Sequence, residues 1–173
     1  QFIQKNYSSP QAFNPDLGLD ILADIKSVRT TYNNQQIRDF NFGIDIIDNV
    51  ATINNLSGII PGDTNITLSG EIKSIDDELF YNIETTLNSH DFLNTVKWIN
   101  LEPQVSVAST YRKASGEAKI SGTLKKIQIS PISFTLDKSS VSGEAGIKLG
   151  TRPDIMLFLN SDMINFDNYI SAL

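Results

Sequence analysis

His90 is the only histidine and the chain has no cysteine, so the residue types that most often do acid–base or nucleophilic work are nearly absent. His90 lies where a strand pattern gives way to a helix pattern. That place suits a solvated or helix-capping side chain better than a general base. Asp76-Asp77-Glu78 gathers three carboxylates that could attract Ca²⁺, but consecutive acids lack the spaced ligands of a calcium loop and read as a solvated turn. Asp45 and Asp48 flank a hairpin signal and need no chemistry to explain them. Asn6, Asn55 and Asn65 open Asn-x-Ser/Thr triplets, glycosylation acceptors that matter only in a secreted eukaryotic protein. These residues point to no catalytic centre, no metal and no cofactor.

The elements around them are strands. Leu17, Leu19, Ile21, Ala23 and Ile25 alternate with mostly polar neighbours, as do Phe40, Phe42, Ile44 and Ile46. Strict period-2 alternation predicts strands with one apolar face. Asp48-Asn49 predicts a hairpin turn into Val50–Leu56, and Pro61-Gly62 a turn before Ile66, Leu68, Gly70 and Ile72. Leu79, Tyr81, Ile83 and Leu87 continue the pattern. Phe92, Val96 and Ile99 then fall at helical spacing behind Ser89 or Asp91 as N-cap, and Asn100 and Pro103 end that helix.

A similar order follows. Val105, Val107, Ser109 and Tyr111 read as a strand, Arg112 to Ser115 as a turn, and Ala118, Ile120, Gly122 and Leu124 as the next strand. Ile127, Ile129, Phe134 and Leu136 follow, with Pro131 forcing a bulge or an edge position. Val141 to Leu149 alternates up to Gly150. Arg152-Pro153 then turns the chain into Ile155, Leu157 and Leu159, and Met163 to Leu173 reads as a short helix or irregular cap. Strands of about ten residues would each extend roughly 33 Å, and short connections favour an antiparallel meander.

The second half repeats signatures of the first. Ser69-Gly70-Glu71 recurs as Ser142-Gly143-Glu144, and Leu87-Asn88-Ser89 as Leu159-Asn160-Ser161. A period of about seventy residues implies stacked modules. The expected organisation is a linker over 1–15, a first β-module with a crossover helix over 16–100, and a second with a terminal helix over 101–173. The expected fold is mainly β: two repeats of about five strands plus a helix, stacked into one curved sheet with an apolar concave face. Alternation alone also admits a β-sandwich, since both arrangements need one-faced strands. Modules near seventy residues are close to the lower limit for a closed core, which favours the continuous sheet.

Composition narrows the function. With 173 residues, 40% hydrophobic and 20% charged, the chain is apolar enough to fold. A formal net charge of −6 argues against a nucleic-acid partner, because phosphate contacts need clustered Lys and Arg. No apolar run approaches the ~20 residues that span a bilayer, and Gln1 to Pro10 lacks the layout of a signal peptide. Starting at Gln1, the chain reads as a portion of something longer, with any anchor or export signal outside it.

Several stretches resemble the AsmA-type repeat of Gram-negative bacteria. They are Asp16–Lys26, Ile37–Ile46, Ala51–Gly58, Pro61-Gly62-Asp63 and Leu68-Ser69-Gly70. The likeness is stronger at Val141–Leu149, Arg152–Leu159 and Met163–Ile170. Asp48-Asn49 stands where the family's first hairpin often carries Gly. The resemblance implies a non-enzymatic periplasmic segment of a protein anchored in the inner membrane outside this fragment. It also implies kinship with TamB and the chorein-type bridge-like lipid transfer proteins, with phospholipid as the partner along an apolar β-groove between inner and outer membranes. The expected lipid-facing residues are Leu19, Ile21, Phe40, Phe42, Ile44, Ile66, Leu68, Ile83, Val107, Ile120, Leu136, Ile147 and Leu157. The alternative function is a closed β-sandwich adhesion or binding module of the cell envelope. An enzyme acting on an envelope glycan ranks third, for want of a site.

Overall fold

The computed structural model describes residues 19–75, 78–100 and 113–163. They form β1 (Ile21–Tyr32), β2 (Gln35–Ile47), β3 (Val50–Ile60), β4 (Thr64–Ile75), β5 (Glu78–Ser89), α1 (Phe92–Trp98), β6 (Ala114–Thr123), β7 (Lys126–Leu136), β8 (Ser139–Lys148) and β9 (Asp154–Ser161). All nine strands belong to one antiparallel sheet in strict sequence order, β1 at one edge and β9 at the other. The sheet is open and mainly β, as the alternation predicts. The sandwich alternative fails for the described residues, because no second sheet faces this one.

The turns follow local chemistry. Asp48 and Asn49 both take positive φ, 48° and 63°, the geometry of the two-residue hairpin turns whose twist matches their strands. Asn33 and Asn34 do the same between β1 and β2, at 50° and 59°. Asp39, at φ 50°, sits in a register irregularity of β2 against β3, between Arg38 and Asn41. Pro131 lies within a second irregularity, where β7 shifts against β8 between Ile129 and Ile132. The missing N–H of proline is tolerated at such a bulge.

Several expectations need correction. Strand β1 begins at Ile21 and runs to Tyr32, so Leu19 precedes it. Ser115 is not in a turn; it lies in β6, opposite Asn88 and Thr135. The strand expected over Val105–Tyr111 and most of the segment from Met163 onward lie outside the described residues. The helix is also not a crossover. β6 starts opposite the last residue of β5, Ala114 against Ser89, and runs antiparallel to it. Restarting in the same direction would require a return along the full strand length, roughly 40 Å for twelve residues. Helix α1 has only seven residues, about 10 Å. It is an excursion over one end of the sheet.

The repeat is half structural. Gly70 and Gly143 share φ values of 151° and 150°, and at each an added Cβ would collide with a carbonyl of the next strand, Asn82 O and Phe158 O. Leu87-Asn88-Ser89 and Leu159-Asn160-Ser161 do not coincide. Gly70 faces Ile83 while Gly143 faces Leu159, so Leu159 corresponds to Ile83, four residues before Leu87. The β4–β5 connection is residues 76–77 and the β8–β9 connection is 149–153. That longer turn slides β9 along its neighbour.

Candidate apolar binding face

The register places the apolar residues of the nine strands in transverse rows. One row runs Ile21, Ile46, Ala51, Ile72, Tyr81, Gly122, Ile127, Ile147, Ile155, each directly opposite the next. The next runs Ala23, Ile44, Ile53, Gly70, Ile83, Ile120, Ile129, Ala145, Leu157. A third runs Ile25, Phe42, Leu56, Leu68, Thr85, Ala118, Ile132, Gly143, Leu159. No position in these rows carries a charge. Eight interstrand steps at about 4.8 Å make each row about 38 Å long, and rows lie about 7 Å apart along the strands. The face passes from β5 to β6 without a break, through Ile83 against Ile120.

The expected lipid-facing residues distribute over this face. Ile21 and Ile147 lie in the first row, Ile44, Ile83, Ile120 and Leu157 in the second, and Phe42 and Leu68 in the third. Ile66 sits one step further, opposite Gly58 and Leu87. Phe40 lies opposite Ser27, and Leu136 opposite Ala114. Leu19 precedes β1, and Val107 lies outside the described residues. Sequence reading passed over Ile53, Leu56, Ile129 and Leu159 as floor positions, although the same alternation marks each of them.

Most of this face is not packed away. Among the described residues the buried hydrophobics are Ile46, Ala51, Ala114 and Ala145, and three of these four are alanine. The other larger side chains of the rows are half-buried by their neighbours in the sheet, except Ile25 on β1 and those on β9, which are exposed. A closed core would hide Ile, Leu and Phe first. Contiguous apolar surface of this extent marks a site of interaction. Among the described residues, burial in this face pushes the Tyr81 phenol up from its ordinary value.

Helix α1 walls one side of the face. Asp91 caps it, its carboxylate accepting from the Asn94 amide, while the Asp91 amide donates to Gly62 O at 2.9 Å. Thr95 enters a buried hydroxyl cluster, 2.6 Å from the Thr64 hydroxyl and donating to Pro61 O at 2.9 Å; Thr64 in turn bonds the Ser89 hydroxyl at 2.5 Å. At one end of α1, Phe92 packs on Phe134 of β7 with centroids 5.6 Å apart. At the other, Trp98 meets Tyr32 of β1 edge-on at 6.0 Å. Laid flat, β1 and β7 would be about 29 Å apart. One helix of about 10 Å reaches both because the sheet curls toward its apolar side. The face is therefore concave here, and α1 covers strand ends rather than the three rows.

Replacing Thr95 by Val should undock α1. It leaves Pro61 O and the Thr64 and Ser89 hydroxyls short of a buried partner, at about 1–3 kcal/mol. Trp98 is the only tryptophan, so a red shift of its emission reports the undocking directly. An unshifted spectrum would show that the cluster does not hold the helix.

The described polar candidates stay apart from this face, while Asn6, Asp76 and Asp77 lie outside the described residues. His90 is exposed, its Nδ1 3.5 Å from an Asp63 carboxylate oxygen, and Arg38 reaches the same Asp63. Asp45 stands opposite Leu22 and Thr52 on the other side of the sheet. Among the described residues no cluster of His, Asp or Glu is placed to hold a metal ion, and no helix is long and apolar enough to cross a membrane. Comparison with protein families, curated proteins and solved structures finds no match to this chain.

Proposed function

We propose that this chain is a non-enzymatic lipid-handling segment that holds acyl chains along its apolar face. The observation that carries the reading is the set of three uncharged rows, each crossing all nine strands, on a sheet with no second layer among the described residues. Each CH₂ removed from water contributes about 0.8 kcal/mol, so a tail lying along a row is held without any directional contact. The rows are chemically uniform, mostly Ile with Leu, Ala and Gly. Affinity then varies little along them, and a uniform floor lets a chain slide where a deep local pocket would trap it. Headgroups would project from the open side into water. The formal net charge of −6 disfavours tight capture of anionic headgroups, which suits a passive path.

The resemblance to the AsmA-type repeat supplies the setting. In that setting the chain is a periplasmic segment, its anchor lies in the inner membrane outside this fragment, and phospholipid moves between inner and outer membranes.

Native mass spectrometry of chain purified from cells without detergent tests the reading. The expected result is a series of bound phospholipid adducts, removed by organic extraction and restored by added lipid. A lipid-free species that also excludes a fluorescent fatty acid would refute it.

A further inference from the structure

Strand β9 is apolar on both faces through its middle, where the inner strands alternate with polar residues. Ile155, Leu157 and Leu159 end the three rows, yet Met156 and Phe158 place apolar side chains on the opposite face, and all five are at least half exposed. Both faces of the strand therefore carry apolar surface up to the edge of the sheet. Among the described residues the strand is also an edge, with backbone groups that no described strand takes up on its outer side. Edges exposed in this way are usually protected by charge, proline or a bulge. β1 has such protection, with Asp24, Lys26 and Arg29 along it and Lys26 paired to Asp24 at 3.0 Å. β9 carries one charge in eight residues, Asp154 at its start.

We propose that β9 is a self-pairing strand, and that a second copy of this chain docks on it antiparallel about a two-fold axis through Leu157. The occupant must be a strand, because the edge offers directional backbone donors and acceptors. That it is a copy follows from the order of side chains. A two-fold at Leu157 sets Leu157 against itself, Met156 against Phe158, and Ile155 against Leu159. In antiparallel pairing directly opposed residues share a face, so every apolar residue meets an apolar residue on both faces. Asp154 meets Asn160 of the second copy, and Arg152 comes level with its Asp162, twice per dimer. Like charges are opposed nowhere in this register. The apolar rows then continue from one copy into the other as one longer floor. This inference does not depend on what the floor binds.

The test uses the delipidated chain. Sedimentation velocity at high micromolar concentration should show a dimer, and the double variant Met156→Lys, Phe158→Lys should be monomeric with unchanged far-ultraviolet circular dichroism. Because the chain has no cysteine, Leu157→Cys introduces a sole thiol. The two-fold brings the paired Cα atoms to about 5 Å, within disulfide reach. Mild oxidation should give a covalent dimer of Leu157→Cys and none of Val28→Cys on β1. A monomeric wild type would overturn the proposal. So would Val28→Cys cross-linking as readily, or Leu157→Cys cross-linking only when mixed with an Ile25→Cys chain.

Discussion

Alanine at Gly70 is expected to lower the stability of the sheet by about 3–5 kcal/mol, the sum of a backbone term and a packing term. The backbone there has φ 151°, and an added Cβ would lie 2.1 Å from Asn82 O and 2.8 Å from the Ile83 Cα. The obstacle is backbone of the neighbouring strand, which cannot swing aside as a long side chain could. β4 and β5 would have to part at the middle of the second row. Domains of this size hold only about 5–15 kcal/mol in total, so this one methyl group takes a large share. Urea denaturation should show the midpoint falling sharply. Gly43→Ala is the control: its Cβ would meet nothing closer than 3.7 Å, and an effect within about 0.5 kcal/mol is expected. Equal midpoints for the two variants would mean that the close approach at Gly70 relaxes at no cost. Gly143→Ala, with Phe158 O 2.0 Å from its Cβ, should act locally instead. Only the edge strand β9 need separate, so amides of β9 should lose hydrogen-exchange protection before the rest of the sheet.

The contrast between Gly70 and Gly143 also shows how far the repeat could be read. Ser-Gly-Glu marks a backbone geometry that only glycine adopts, so its recurrence signals a recurrence in space. Leu-Asn-Ser marks no such geometry. Its register depends on how many residues the preceding turn consumes, and the Arg152-Pro153 turn is longer than the turn after Ile75. Ser89 therefore lies buried under α1, while Ser161 stands opposite Val141 and is exposed. Alternation located the strands because side-chain direction has period 2 in any extended chain. Asp48-Asn49 and Asp91 were legible for a similar reason, since turn and cap chemistry act within a few residues. Asn33-Asn34 has the same chemistry but separates polar stretches, Arg29 to Tyr32 and Gln35-Gln36, where no change of pattern exposes it. The choice between one sheet and two was not in the pattern at all, because each strand presents the same face either way. The path of α1 also depended on distant contacts, Phe92 with Phe134 and Trp98 with Tyr32. Met156 and Phe158 were visible as part of an unbroken apolar run, which alternation alone reads as a single floor strand.

Aspartate at Ile83 should separate an open floor from a closed core by experiment. Ile83 lies near the centre of the second row, opposite Gly70 on one side and Ile120 on the other. In a sealed core an unpaired carboxylate would cost several kcal/mol and endanger folding. On this face the side chain is half-buried and can keep water, so a loss of about 1–2 kcal/mol is expected in denaturant unfolding. Binding should suffer more. A tail crossing position 83 loses contact for two or three CH₂ groups, about 2 kcal/mol at 0.8 each, and must also strip water from a charge. With 1.4 kcal/mol per decade, affinity for a fluorescent fatty acid should fall by roughly thirtyfold or more. Phe42→Asp in the third row should behave alike. Glu84→Lys supplies the contrast, because Glu84 is exposed on the opposite face and its ion pair with Lys119 is a surface one, worth little. It should leave fatty-acid binding unchanged within a factor of two or so, despite altering the net charge. Full affinity in Ile83→Asp, or a drop confined to Glu84→Lys, would place the lipid on the other side of the sheet or remove it from the function altogether.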